Sequence, residues 1–230
     1  TLSDLVSDIR DNIHPQAFVE GKHLSRWSAL SNKWLEWGTE RAPLLFSRPT
    51  FPQLYLAPKI FIHRTCGDGI RACLDVNGTL CNHTVMVCVP WHSLTGVCNR
   101  SIRKSAVYPN ERKASDAERP DRVLLETTSR NFDLRFILGI MNSAFARHFL
   151  RRDRRSNTDL YPDDWKKLPI PAASSAEQAA LSPLVDSILT AKQNGDEAEV
   201  TRLEGEIDRH VYRLYGMTPD EIAMVRGASA

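Results

Sequence analysis

Two stripes of aliphatic residues near the end of the chain constrain its fold more than any other sequence feature. Their members recur every three or four positions, which is the spacing of one face of an α-helix. The first stripe comprises Leu181, Leu184, Val185, Ile188 and Leu189, and the second comprises Val200, Leu203, Ile207, Val211 and Leu214. Gly195 lies between them, Ser174 or Ser175 can cap the first helix, and Thr218 begins a capping motif for a last short helix. The pattern predicts a C-terminal helical hairpin.

The hairpin needs a surface on which to bury these side chains. A buried large aliphatic side chain stabilises a fold by about 1.5–3 kcal/mol, and two helices of this length can cover their stripes only in part. We therefore expect the hairpin to dock on the rest of the chain or to self-associate. The extended segment Leu168-Pro-Ile-Pro171 stops any helix before it, so we predict two domains, 1–171 and 172–230.

The first 171 residues mix strand and helix signals. Residues 58–65 alternate between two faces, with Ile60 and Ile62 on one side, and Asn77-Gly78 predicts a hairpin that returns as a strand over 79–91. The apolar spacing over 131–152 predicts one long helix, and the polar stretch 105–122 predicts a long loop. Together these elements predict an α/β (α+β) domain with a twisted mixed sheet and a flanking helix, followed by the helical hairpin.

Composition excludes several classes of protein. The chain has 230 residues, of which 42% are hydrophobic and 25% charged, so it can bury a full core. Its apolar runs fall short of the roughly 18 residues that a membrane helix needs, and we expect no membrane partner. It begins with Thr1 and shows no signal-peptide pattern, so we expect it to be part of a longer cytoplasmic protein.

The five cysteines do not predict a disulfide framework, because their number is odd and they lie in segments with strand patterns. A zinc site is possible in principle, since three histidines lie near them. No tight Cys-x-x-Cys pair is present, however, and buried thiols are the favoured interpretation. A hydrolase that uses His63 or His92 with Cys66 has no nucleophile motif to support it.

The net charge of +2 conceals a strong asymmetry along the chain. Residues 99–155 carry 14 Arg and Lys against 7 Asp and Glu, and residues 22–71 carry 8 against 3. Residues 176–225 instead carry 4 basic against 10 acidic side chains. Such an asymmetry indicates a basic body that faces a polyanion and an acidic hairpin kept away from it, although two solvated faces would look the same.

Several stretches resemble, in order and spacing, the target-recognition domain of adenine-specific DNA methyltransferases, the TaqI-like C-terminal specificity domain of type IIG restriction-modification enzymes. The matching stretches are Phe18-Val-Glu-Gly-Lys-His-Leu-Ser-Arg-Trp27, Pro58-Lys-Ile-Phe-Ile-His-Arg64, Leu138-Gly-Ile-Met-Asn-Ser143, Leu168-Pro-Ile-Pro171 and the segment from Leu203 to Ile222. His23 stands where that family usually has Asp, and the loop over 99–122 has no counterpart in it.

The resemblance implies a specificity module that recognises double-stranded DNA for a catalytic domain located upstream in the same protein. That parent protein would use S-adenosylmethionine to methylate adenine N6, with or without an endonuclease. The glycine-rich cofactor loop and the Asn-Pro-Pro-Tyr motif of the catalytic domain do not occur in this sequence, so we expect no catalysis and no cofactor in this chain.

DNA recognition requires cations for phosphates and guanidinium or amide groups for base edges. We predict that the DNA-binding residues are Lys22, Arg26, Arg64, Arg71, Arg151, Arg152, Arg154, Arg155 and Asn157. Trp27, Trp34 and Trp37 can stack on a base, but packing inside the protein is the favoured interpretation for indoles. The alternative function is a non-catalytic protein-interaction module that uses the helical hairpin.

Overall fold

The computed structural model describes residues 2–42, 51–65, 67, 69–153, 156 and 158–227. Its α+β composition confirms the predicted fold class, with the short strands up to Cys88 and most of the α-helices after it. The strands are β1 (Val6–Ser7), β2 (Gln16–Val19), β3 (Lys33–Leu35), β4 (Lys59–His63), β5 (Ala72–Asp75), β6 (Leu80–Cys81) and β7 (Val85–Cys88). The helices are α1 (Gln53–Leu56), α2 (Arg100–Ser105), α3 (Arg122–Ser129), α4 (Leu134–Asn142), α5 (Ala144–Asp153), α6 (Pro162–Trp165), α7 (Ser175–Asn194), α8 (Glu197–Leu214) and α9 (Pro219–Gly227).

The strands form two sheets where the sequence predicted one. The first sheet has the order β1-β3-β2-β6, in which β2 and β6 are parallel and the other pairs are antiparallel. The second sheet has the order β5-β4-β7 and is antiparallel throughout. The parallel pair makes the first sheet mixed, as predicted, and the second sheet is a separate layer.

Strand β4 is buried on both faces and separates two hydrophobic cores. Ile60 and Ile62 belong to the larger core, and Phe61 belongs to the smaller one, so the predicted alternation is confirmed. Lys59 is fully buried. Its ammonium pairs with the carboxylate of Asp75 and donates to the carbonyl of Tyr55 at 2.8 Å, and these contacts compensate for its burial. A buried charge needs such partners, since desolvation without them costs several kcal/mol.

The predicted Asn77-Gly78 hairpin is wrong. Strands β5 and β7 flank β4 on opposite sides, and between them the chain crosses to the first sheet, where β6 pairs with β2. Gly78 does have the left-handed φ of 70° that the dipeptide predicts, but the turn serves a crossover. The predicted strand over 79–91 is likewise interrupted by a turn, in which the backbone N–H of Thr84 donates to the side chain of Asn82 at 3.1 Å.

The single helix predicted over 131–152 is two helices. The first begins at the predicted place, where the Asp133 side chain caps α4 by accepting from the backbone N–H of Arg135. The chain then becomes extended at Ser143, whose φ and ψ are −68° and 159°. The next helix is capped by the Ser143 hydroxyl, which accepts from Ala146 N–H at 3.2 Å, and by Asp208, which accepts from Ala144 N–H at 2.8 Å. The apolar spacing continues through this break, because both helices bury their apolar residues in the larger core.

The stretch predicted as a long loop, 105–122, is folded around one buried carboxylate. Asp116 accepts hydrogen bonds from Arg103 at 2.7 Å and from Arg119, and its backbone carbonyl accepts one from Arg112 at 2.8 Å. Arg122 begins α3 and donates to Glu126 at 2.9 Å within that helix. Because these arginines stabilise the local fold, much of the positive charge in this stretch is neutralised inside the protein.

The C-terminal helical hairpin is confirmed, and it docks on the body as expected. Ser174 caps α7, and Gly195 ends it with a left-handed φ of 72°. The two helices pack on each other and on α4, where a Cβ added to Gly139 would lie 2.5 Å from the Leu181 side chain. The larger core therefore runs from β4 and β5 through α4 into the hairpin. Within the part of the chain that the structure describes, no helix is both long and apolar enough to cross a membrane.

Candidate nucleic-acid interface

Three of the predicted DNA-binding residues lie at the end of the β4–β5 pair, around the turn that joins these strands. Arg64 directly follows β4 and Arg71 directly precedes β5. Arg151 lines a narrow crevice with Gly67, Gly69 and Ile70 of this turn. The turn and α5 are far apart in the sequence. They lie close together in the structure because α4 and α5 pack beside the second sheet.

Arg64 is held in a fixed orientation. Its guanidinium carbon lies 4.8 Å from the centroid of the Tyr161 ring, its Nη2 donates to the Tyr161 hydroxyl at 3.3 Å, and its Nε is 3.4 Å from a carboxylate oxygen of Asp159. The backbone reinforces this arrangement, since Leu160 N–H donates to the Arg64 carbonyl at 2.9 Å. A guanidinium that is already oriented loses less entropy when it binds an acceptor.

The Arg71 carbonyl accepts a hydrogen bond from His63 N–H at 2.9 Å, so strand alternation puts Arg71 on the opposite face of the second sheet from Arg64, and Lys22 follows β2 of the first sheet. Arg71 is exposed, and no ion-pair partner for it is present among the described residues. Lys22 is exposed and pairs with Glu20 at 2.7 Å. The His63 ring connects the two, because it packs against Gly21 so closely that a Cβ there would lie 2.4 Å from Nε2. Burial lowers the pKa of His63 and the charge of Arg71 lowers it further, while Asp159 opposes them.

Helix α5 supplies the remaining described cations of this region. Arg147 and Arg151 are one turn apart on the helix and line the same crevice, and the exposed Arg152 follows. Arg147 was not predicted from the sequence, because a lone arginine within an apolar helical stripe carries no signal of its own. We define the basic edge by six described cations: Lys22, Arg64, Arg71, Arg147, Arg151 and Arg152.

Arg26, which was also predicted to bind DNA, makes its contacts inside the protein. Its Nη1 is 2.9 Å from a carboxylate oxygen of Glu204, and its Nη2 donates to the backbone carbonyl of Asn142. Burial lowers the pKa of Arg26, and the Glu204 charge partly reverses this shift. Arg26 therefore joins the body to helix α8. The structure does not bring it into the basic edge.

The last three predicted residues, Arg154, Arg155 and Asn157, lie outside the residues that the structure describes. The structure does describe residues on either side of them. Arg152 precedes them on α5, and Asp159 follows them and accepts a hydrogen bond from the Thr65 hydroxyl at 3.0 Å.

The predicted tryptophans have three different environments. Trp27 is buried with 1% of its surface exposed, and its indole N–H donates to Glu204 at 2.5 Å. Trp37 is packed against the smaller core. Trp34 is half-buried, with the guanidinium of Arg10 lying 4.8 Å from its ring centroid. Packing in the protein, the favoured interpretation, is confirmed for Trp27 and Trp37.

The metal alternative can be compared with the described residues, whereas the hydrolase alternative involves Cys66, which lies outside them. No group of three His, Cys, Asp or Glu side chains there could hold a metal ion. Burial raises the pKa of Cys73 to about 12, which suits a structural thiol. The Nδ1 atom of His92 forms a hydrogen bond of 3.1 Å with the Ser129 hydroxyl.

The sequence matches no protein-family model and no curated protein.

Proposed function

We propose that the chain is a DNA target-recognition module whose basic edge contacts the phosphate backbone and neighbouring base edges of double-stranded DNA. The observation that supports this best is that cations from three separate segments lie around the end of the β4–β5 pair: the stretch after β2, the β4–β5 turn and helix α5. Clustered cations attract a polyanion, and the affinity of such binding depends steeply on salt.

The residues of the basic edge suit different parts of that task. Arg71 and Arg152 are exposed and can follow phosphates as mobile charges. Arg64 is oriented by Tyr161 and Asp159, and such a fixed guanidinium suits bidentate recognition of a guanine edge. We assign Arg64 to base readout and the exposed cations to phosphate contacts.

In this proposal the chain serves a larger restriction-modification protein. The upstream catalytic domain would bind S-adenosylmethionine and methylate adenine N6, while this module positions it on its site. The support is the ordered resemblance of the sequence to the specificity domain of such enzymes, together with the separate basic edge. We infer that the chain on its own does not transfer a methyl group.

The alternative is a protein-interaction module built on the hairpin. The apolar stripes that it would use are buried within the chain. Leu181, Val185 and Ile207 are almost completely buried against α4 and each other, so the stripes that called for a partner have one within the chain. A partner would have to use another part of the hairpin.

A fluorescence-anisotropy titration with a labelled duplex tests the proposal. For the isolated chain we expect dissociation constants of about 10⁻⁴–10⁻⁶ M at physiological salt, since the opposing catalytic domain is absent. The double variant Arg71→Glu/Arg151→Glu should weaken binding at least tenfold and reduce the slope of log K against log salt by about one for each lost phosphate contact.

The matched control is Arg100→Glu/Arg130→Glu, which makes the same change in net charge at two exposed arginines outside the basic edge. It should retain most of the affinity. If both double variants lose affinity equally, binding follows net charge and the basic edge is not the interface. Arg64→Lys should relax sequence preference in a selection from randomised duplexes more than it lowers overall affinity.

A further inference from the structure

A second cluster of cations surrounds an open cavity on the face of the hairpin that the larger core does not use. The cavity has a volume of about 810 Å³ and lies between α8 and α9. Arg209 and Arg213 line it from α8, one helical turn apart, and Arg226 lines it from the last turn of α9. Gly216 makes the turn between the two helices with a left-handed φ of 61°. None of these residues belongs to the basic edge.

The helical register explains why these arginines gather on this side. The apolar stripe of α8 includes Ile207 and Val211, which are buried in the larger core. Arg209 and Arg213 fall between the stripe positions and therefore point to the opposite side of the helix. Helix α9 folds back across that side, which brings Arg226 to within 5.9 Å of the centroid of the Tyr212 ring.

The positive charge of the cavity is not matched by its carboxylates. Among the described residues, Glu206 is the only acidic residue that lines it, and this carboxylate already pairs with Arg202 while lying 3.8 Å from Arg209. No described carboxylate lies within ion-pair distance of Arg213 or Arg226. Burial lowers the pKa of His210, which also lines the cavity, and the charge of Arg213 lowers it further, while Glu206 and Arg209 act in opposite directions.

The floor of the cavity is apolar and partly aromatic. Tyr212 is 3% exposed and forms a small core with Ala144 and Val225, and the half-buried Met217 and Ile222 pack against it. The cavity therefore combines an apolar floor with a cationic rim. Its volume lies within the range of about 300–1,000 Å³ that is typical of small-molecule sites.

We propose that this cavity binds a nucleoside polyphosphate, independently of the DNA interface. The phosphate oxygens would accept hydrogen bonds from Arg209, Arg213 and Arg226, because guanidinium groups match phosphate geometry in a bidentate manner. The base would lie on the floor formed by Met217 and Ile222. A lone inorganic anion would use only the rim, and an uncharged nucleoside only the floor.

Isothermal titration calorimetry of the full chain with ATP, pyrophosphate and adenosine tests the site. We expect ATP to bind more tightly than pyrophosphate, and adenosine to bind more weakly than either. The variant Arg213→Gln/Arg226→Gln should weaken ATP and pyrophosphate binding at least tenfold. The variant Ile222→Ala should weaken ATP binding and leave pyrophosphate binding unchanged. Circular dichroism verifies that each variant is folded.

The control Arg100→Gln/Arg130→Gln removes two positive charges elsewhere and should bind ATP like the parent. The proposal is overturned if ATP does not bind, if this control loses affinity as much as the cavity variant, or if ATP binds no better than pyrophosphate. It is also overturned if the cavity variant binds ATP normally but loses affinity for duplex DNA, since the arginines would then extend the DNA surface. Loss of DNA binding by basic-edge variants tests the proposed function alone.

Discussion

Glu204 connects the sheet to the hairpin through two hydrogen-bond donors on consecutive residues. Its carboxylate accepts from the indole N–H of Trp27 and from the guanidinium of Arg26. Trp27 has a positive φ of 74°, a conformation that costs a non-glycine residue of order 1–3 kcal/mol and that the surrounding contacts must stabilise. Trp27 N–H also donates to the carbonyl of Ala72 at 2.9 Å, so the residue is fixed through both its backbone and its side chain.

We predict that Glu204→Gln lowers the free energy of unfolding by about 1–3 kcal/mol, because an amide offers one acceptor to two buried donors and loses the charge that pairs with Arg26. Urea denaturation measures the change. The control is Glu199→Gln on the same helix, whose carboxylate pairs with the exposed Arg202; a loss of at most about 1 kcal/mol is expected there. Equal losses in the two variants would contradict the structural role of Glu204.

His63 gives stability a dependence on pH. Burial and the charge of Arg71 lower its pKa below the ordinary value of 6.5, so the folded protein holds the ring neutral at a pH at which the unfolded chain binds a proton. Its contribution to stability is therefore complete above pH 6.5 and is lost as the pH falls below that value. His23 and His210, whose pKa values are lowered by burial as well, act in the same direction.

We therefore expect the free energy of unfolding to fall between neutral pH and pH 5.5, before most carboxylates are protonated. The variant His63→Gln should show a shallower decline than the parent over that interval, measured by urea denaturation at several pH values. A decline as steep as that of the parent would show that His63 does not contribute to it.

The sequence predicted the exposure of individual cations better than it predicted the partners of the buried ones. Arg71 and Arg152 are exposed, as expected for charged side chains. The pairing of Arg26 with Glu204 joins positions 178 residues apart, and no local pattern encodes such a contact. Arg26 was accordingly predicted as a DNA contact on the basis of its charge and its place in the resemblance alone.

Among the elements, the contact between α4 and α7 depends on a glycine. A Cβ at Gly139 would lie 2.5 Å from Leu181 Cδ2 and 3.3 Å from Val185 Cγ2, and both neighbours are fully buried. We predict that Gly139→Ala destabilises the protein by about 1–3 kcal/mol through overpacking, despite the higher helix propensity of alanine. Thermal and urea denaturation measure the effect.

The matched control for this prediction is Gly205→Ala on α8, where no atom of the described residues, other than its chain neighbours and the local helix backbone, lies within 4 Å of the added Cβ. There the same substitution should stabilise the protein by about 0.5–1 kcal/mol. If the two substitutions have the same sign, helix propensity rather than packing dominates at Gly139.

The elements also show where apolar periodicity is informative and where it is not. It correctly predicted α7, α8 and the alternation of β4, because each buries one stripe or two alternating faces. It missed the break at Ser143, since a side-chain cap and Asp208 on a distant helix determine that break. Asn77-Gly78 predicted a turn correctly, but the partners of the flanking strands depend on the sheet topology.

The two predicted domains share one hydrophobic core. Ile60 and Ile62 of β4 belong to the same core as Val185 of α7 and Ile207 of α8, on opposite sides of the predicted boundary after residue 171. We therefore expect the body and the hairpin to unfold in a single cooperative transition. Tryptophan fluorescence monitors the body, because all five tryptophans precede residue 171, while α7 and α8, the two longest helices, contribute strongly to circular dichroism.

The two signals should give the same midpoint in urea, and Ile207→Asp should lower both midpoints together by burying an unpaired charge, at a cost of about 3 kcal/mol or more. Two separated transitions would show that the hairpin is an independent unit.

Charge sums along the chain predicted the location of the basic surface only in part. The excess in 99–155 is reduced because Arg103, Arg119, Arg122 and Arg135 pair with Asp116, Glu126 and Asp186 in the folded protein. The acidic hairpin, conversely, contains the arginines that line the open cavity between α8 and α9. Summation over a sequence window cannot separate charges that neutralise one another from those that face solvent.

The parallel pairing of β2 and β6 implies an order in which the chain folds. Phe18 pairs with Leu80, whereas β4 and β5 are joined by a short turn. Closing the longer loop loses more chain entropy, so we expect the β2–β6 pair to form after the folding transition state and the β4–β5 pair before it. In stopped-flow experiments, Leu80→Ala should then accelerate unfolding with little change in the refolding rate, and Ile62→Ala should slow refolding. The basic edge, which is built on the β4–β5 turn, would thus acquire its scaffold before the sheet beside it is complete.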